Sequence, residues 1–95
     1  MYHIYVTFRC FAGMREAFVE RLKEDGILSA IRAEDGCEKY DFYFSEKDEN
    51  ELLLVETWKS THHQQVHMTQ EHMARFRVLK GIYTESSHLG EFLLP

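Results

Sequence analysis

Hydrophobic and polar residues alternate along YHIYVTF (Tyr2–Phe8). Tyr2, Ile4, Val6 and Phe8 fall on one face and His3, Tyr5, Thr7 and Arg9 on the other, the two-residue period of a strand. After Gly13 the period lengthens. Met14, Ala17, Phe18, Arg21 and Leu22 recur at helical spacing, with Arg15, Glu16, Glu20, Lys23 and Glu24 turned outward. Asp25-Gly26 interrupts this stripe before Ile27, Leu28 and Ile31 resume it, which predicts one bent helix or two short ones. Glu34-Asp35-Gly36 reads as a turn, and CEKYDFYFSE (Cys37–Glu46) as a second strand with Tyr40, Phe42 and Phe44 on one face. The polar loop Lys47–Asn50 has hairpin length and leads into a third strand, ELLLVETW (Glu51–Trp58). Ser60 is a natural N-cap for a following helix, and Thr69 for a further one with Met73, Phe76, Leu79, Lys80 and Tyr83 as its buried stripe. HLGEFLL (His88–Leu94) predicts a last strand, weakened by Gly90.

The order strand, helix, strand, strand, helix, strand fits one domain over residues 1–95. Its economical packing is an α+β, ferredoxin-like split βαβ arrangement, an antiparallel sheet with the helices on one face. The chain holds seven Phe, five Tyr and one Trp and is 44% hydrophobic. A chain this short buries only roughly 60–65% of its unfolded surface. The surplus aromatics on the uncovered sheet face therefore predict a homodimer.

The net charge of −5 and the lack of any Lys/Arg run argue against nucleic acid or anionic lipid as a partner, since both require a basic surface. The apolar runs Leu52–Val55 and Phe92–Leu94 are far short of the ~20 residues that span a membrane. MYHIYVTFRC has no signal-peptide core, and a cytoplasmic location is expected. Cys10 and Cys37 lack a CxxC spacing and read as free, space-filling thiols.

Chemistry concentrates in WKSTHHQQVHMTQEHMARF (Trp58–Phe76), where His62, His63, His67 and His72 stand close together. His63 and His67 have the i, i+4 spacing that can clamp an ion, but no third ligand accompanies them and HExxH is absent. His72 could join only if the helix breaks near Thr69. The expectation is therefore no metal, with His62 and His63 on a solvated face. His67 lies beside Val66, and His72 shares a segment with Met73 and Phe76. An imidazole against apolar walls suits a general base, although a packed or helix-capping histidine would give the same pattern. Glu56 shares a strand face with Leu52, Leu54 and Trp58 and needs a partner, which an imidazole or Arg9 would supply. Trp58 is either a core anchor or a platform for a flat ligand.

The block Glu34–Phe76 resembles the antibiotic biosynthesis monooxygenase domain. The similarity lies in Gly36, Cys37, Tyr40, Glu56, Trp58, Ser60, His67, His72 and Phe76, and it extends to chain length and element order. The resemblance implies a dimeric α/β barrel of two ferredoxin-like protomers, each keeping a pocket between sheet and helices. It also places a pocket residue on the first strand, near Thr7 and Arg9. The family includes cofactor-free monooxygenases of polycyclic phenols, quinol oxidases, haem-degrading enzymes and an isomerase of phosphorylated autoinducer-2, so fold settles substrate poorly.

Nothing here matches a dinucleotide turn, a phosphate loop, a nucleophile elbow or a haem-attachment motif. The leading expectation is a cofactor-independent monooxygenase acting on a small aromatic substrate, a quinol or polycyclic phenol, with dioxygen. His67 or His72 would be the base, and Trp58, Glu56, Thr7, Arg9, Tyr40, Phe42, Leu54, Met73 and Phe76 would form the substrate slot. Haem fits poorly: the haem-degrading relatives have Trp at the His67 position, a ligating His at Arg77 and Asn near Thr7. The isomerase is the closer competitor, with Arg9, Arg75, Arg77 and Lys80 as candidate phosphate contacts. A non-catalytic dimeric module that binds a small molecule is the third possibility.

Overall fold

A computed structural model describes all residues, 1–95. In chain order the elements are β1 (Tyr2–Cys10), α1 (Arg15–Glu24), α2 (Ile27–Arg32), β2 (Cys37–Phe44), β3 (Glu51–Trp58), α3 (Thr61–Met68), α4 (Glu71–Tyr83) and β4 (Thr84–Phe92). The strands form one sheet in the order β2-β3-β1-β4, antiparallel throughout. This is the ferredoxin-like α+β plan expected from the sequence.

The break between α1 and α2 resolves the bent-or-split alternative in favour of two helices. Gly26 takes φ 74°, a left-handed conformation that L side chains resist, and the helix restarts from it. Two boundaries differ from the sequence reading. Thr69 does not cap a helix start; it ends α3, its Oγ1 donating to the Val66 carbonyl at 2.7 Å, and α4 begins after Gln70. The last strand starts at Thr84 rather than His88, because Thr84 Oγ1 bonds the Lys80 carbonyl and the chain passes directly from helix to strand. Pairing with β1 then overrides the weak strand character of Glu85–Ser87.

Alternation along β1 and β3 decides which residues meet the helices. Ile4, Phe8, Leu52, Leu54, Glu56 and Trp58 are buried beneath them with Phe18, Leu22, Ile27, Leu28, Ile31, Met73, Phe76 and Leu79. Phe8 and Phe18 meet edge-on at 5.7 Å, and Phe18 meets Phe76 at 6.0 Å. The opposite face has its own register. His3, Tyr5, Thr7 and Arg9 pair with Thr57, Val55, Leu53 and Glu51, and with Phe92, Gly90, His88 and Ser86. Gly90 leaves room there for the Tyr5 ring, which a Cβ would meet at 2.5 Å. Tyr5, Leu53 and Val55 stay half-buried on this face and Tyr43 is exposed.

Arg15 fastens the β2–β3 hairpin to α1, its Nη1 donating to the carbonyls of Ser45, Asp48 and Glu51. The two cysteines are free, and burial raises both thiols, Cys37 to about 11, so neither is a ready nucleophile. No helix is long and apolar enough to cross a membrane.

Candidate active site

The break between α3 and α4 builds the site. Ser60 caps α3, its hydroxyl accepting from the His63 amide. The helix ends at Met68, Gln70 is extended, and α4 sets off in a new direction. His67 in the last turn of α3 and His72 in the first turn of α4 therefore converge on one carboxylate. Glu34 Oε2 lies 2.7 Å from His67 Nδ1 and 2.8 Å from His72 Nε2. Glu34 comes from the turn between α2 and β2, where its amide donates to the Ile31 carbonyl. All three side chains are largely withdrawn from water, His67 completely.

A carboxylate only accepts, so the ring nitrogens facing Glu34 both carry hydrogen. That assigns a tautomer to His67: N–H at Nδ1 and a lone pair at Nε2. Nε2 has no hydrogen-bond partner in the protein, yet no buried side-chain nitrogen or oxygen is left sealed and unpaired. It therefore opens onto the cavity that His67 lines. Burial lowers the pKa of His67, against the opposing pull of Glu34, which keeps the ring neutral and basic at neutral pH.

The Trp58 ring packs on His67, centroids 4.5 Å apart, and Tyr40 meets His67 at 5.8 Å. On its other side the indole Nε1 donates to Glu56 Oε1 at 2.9 Å. Burial raises the Glu56 carboxyl to about 7, partly offset by the Trp58 hydrogen bond. The second Glu56 oxygen has no protein partner and belongs to the cavity wall.

The cavity measures about 190 Å³ and lies between the sheet and α3–α4. Val6, Phe8, Tyr40, Leu54, Met73 and Phe76 give it apolar walls. Glu56, Gln64, His67 and Ser87 supply polar groups, and Arg77 and Lys80 are charged.

Of the expected site residues, the structure brings His67, Glu56, Tyr40, Leu54, Met73 and Phe76 to this cavity, with Trp58 packed against His67. Four are placed elsewhere. Thr7 and Arg9 lie on the opposite sheet face, because strand alternation sends odd positions of β1 away from the helices. Arg9 is engaged there by Asp48 at 2.6 Å and Glu51 at 3.2 Å. Phe42 packs against Phe8 and Tyr40 and supports the wall without lining it. His72 reaches Glu34 but not the cavity, which separates the two candidate bases. The partner of Glu56 is the indole of Trp58, neither an imidazole nor Arg9. His63 does not pair with His67; it is half-buried rather than fully solvated, its ring bonding Ser60 Oγ at 2.7 Å and approaching Asp35, while His62 beside it is exposed.

Sequence reasoning missed Glu34, and with it the logic of the two histidines. The acidic turn before Gly36 was visible, but nothing in a turn signal says which carboxylate points inward.

A model of the antibiotic biosynthesis monooxygenase family matches residues 1–79. Among solved structures, an antibiotic biosynthesis monooxygenase superposes with a TM-score of 0.84 at 18% identity, covering 100% of both chains. A protein from Mycobacterium tuberculosis gives 0.82 at 25% identity, over 99% of this chain and 94% of its own. One from Pseudomonas aeruginosa gives 0.84 at 21%, over 99% and 93%. No curated protein is similar enough to the chain to count as a match.

Proposed function

The chain belongs to the antibiotic biosynthesis monooxygenase family, and from that premise we propose that it oxidises a quinol or polycyclic phenol with dioxygen, without a cofactor. The observation that carries this reading is the Glu34–His67 pair. It presents an unprotonated imidazole nitrogen to an apolar cavity next to a flat indole.

His67 Nε2 takes the proton of a phenolic hydroxyl, and Glu34 holds the ring and stabilises the imidazolium that forms. The phenolate is electron-rich enough to reduce dioxygen itself. Recombination of the two radicals makes a C–O bond and leaves a hydroperoxide. Cleavage of its O–O bond, with the proton returned from His67, releases one oxygen atom as water. A naphthohydroquinone and dioxygen thus become a hydroxynaphthoquinone and water, the organic substrate supplying all the electrons. Glu56, with its carboxyl near 7, offers the substrate oxygen a hydrogen bond from within the cavity. Apolar walls exclude the water that would quench the radical pair. We also propose that the protein works as a cytoplasmic homodimer joined through the sheet face opposite the helices.

A second reading has its own support. Arg77 and Lys80 line the cavity and neither has a carboxylate partner, which suits an anionic substrate such as the phosphorylated one of an isomerase.

The test is anaerobic mixing with a panel of naphthohydroquinones, followed by oxygen addition and oxygen-electrode readout. Wild type is compared with His67→Ala and His72→Ala. Turnover above autoxidation that collapses in His67→Ala alone is expected. Equal rates in all three folded proteins would end the proposal.

A further inference from the structure

The Glu34–His67–His72 cluster does more than orient a ring. Its three ligand-type atoms, one carboxylate oxygen and two imidazole nitrogens, all lie within 4.8 Å of one another. They arrive from three separate segments of the chain, and none depends on a surface side chain finding a chance rotamer. Two imidazoles and a carboxylate are the donor set of divalent first-row ions, zinc foremost. Ligands at about 2.0–2.2 Å around a tetrahedral ion stand roughly 3.4 Å apart, so the 2.7 and 2.8 Å contacts need widen only by a fraction of an ångström.

Access comes from the far side. Glu34 also lines a polar surface cleft with Asp35, His62, His63, Val66 and Gln70, and that cleft is distinct from the apolar cavity. Of the three donors Glu34 alone lines this cleft, and an ion's path and its fourth, water-held position would lie on that side. We propose that Glu34, His67 and His72 form a site for a divalent first-row cation, zinc being the best match, which acts as an inhibitor rather than a cofactor. The inhibitory part rests on the role given to His67 above. An ion on Nδ1 moves the ring's remaining hydrogen to Nε2, so the group facing the cavity becomes a donor and can no longer accept a proton.

The experiment uses chelator-stripped full-length protein, zinc titrated by calorimetry and cobalt followed by its visible absorption. One ion per protomer is expected, with cobalt showing the intense bands of four-coordination. Glu34→Gln and His72→Gln should each bind about a hundredfold more weakly or worse, since even neighbours of ligands cost that much. The double variant His62→Gln/His63→Gln should bind as wild type, and circular dichroism checks that each variant is folded. No binding, or binding that survives both single changes, overturns the site. Loss only in the His62/His63 variant moves the ion to the surface cleft and overturns it equally. Zinc should also lower quinol turnover at least tenfold, reversed by chelator; undiminished turnover with zinc bound overturns the inhibitory role. Binding measured without substrate separates the two proposals: metal-free protein with no turnover that still binds zinc loses the monooxygenase reading and keeps the site.

Discussion

The indole of Trp58 lies 4.5 Å from the imidazole of His67, centroid to centroid, with the planes inclined at 35°. The same indole donates to Glu56, so one side chain touches both the imidazole and the carboxyl group of the cavity wall. Trp58 is fully buried and fixes the spacing between them.

Trp58→Phe keeps the aromatic contact and removes the N–H. Glu56 Oε1 is then left without its donor, at a cost of about 1–3 kcal/mol. Urea unfolding at pH 8 should show the full loss. At pH 5, where Glu56 is protonated in the native state, the loss should shrink.

Glu56 itself predicts a slope of stability with pH. Its carboxyl rises from 4.5 to about 7 on folding, so in that window the native protein holds a proton that the unfolded chain has released. The unfolding free energy therefore falls as pH climbs between those values, by about 3 kcal/mol in all, and is flat above. Glu56→Gln should abolish this component and exceed wild type in stability at pH 8, as measured by urea midpoints across a pH series.

Where the sequence was readable, it was readable because one period dominated. Tyr2–Phe8 and Glu51–Trp58 alternate cleanly, and both strands match the structure to within two residues. Met73, Phe76 and Leu79 fall one helical turn apart and are buried together. The site was harder, because it is made by direction rather than by period. Thr69 looks like a helix start and in fact closes one. The break that follows it lets His72 reach the same Glu34 oxygen as His67. Glu34 sits in a turn, where no periodicity tells an inward carboxylate from an outward one, and its partners lie 33 and 38 residues away. Arg9 shows the converse: alternation alone put it on the far face, and the resemblance drew it toward the pocket.

Glu34→Gln tests the tautomer assigned to His67. A carboxamide can present hydrogens, so the ring is no longer held with its lone pair at Nε2. Nitrogen chemical shifts should report Nδ1–H in wild type and a mixed or inverted population in the variant. Quinol turnover in metal-free protein should fall about 100-fold, within the range for a positioned base.

Leu53→Glu tests the uncovered sheet face. Leu53 sits opposite Thr7 and Tyr43 there, half-buried in the isolated protomer. Stable pairs bury about 1,200–2,000 Å² in total, and an unpaired carboxylate at the centre of such a surface is strongly disfavoured. Wild type should sediment as a dimer and the variant as a monomer. A monomeric wild type would free this face from any role in assembly.

The distances along the chain that hid Glu34 also govern when the cluster can exist. A contact spanning 38 residues closes only after the chain between has been ordered, and such contacts form slowly compared with helical turns. During synthesis, α1 and α2 can be fully made while Glu34 has neither of its imidazoles. No amino-terminal fragment ending before His72 can contain the cluster. The nitrogen shifts of His67 are thus a clock for the late stage of folding, keeping their unfolded-chain positions until residues from both halves of the chain have met.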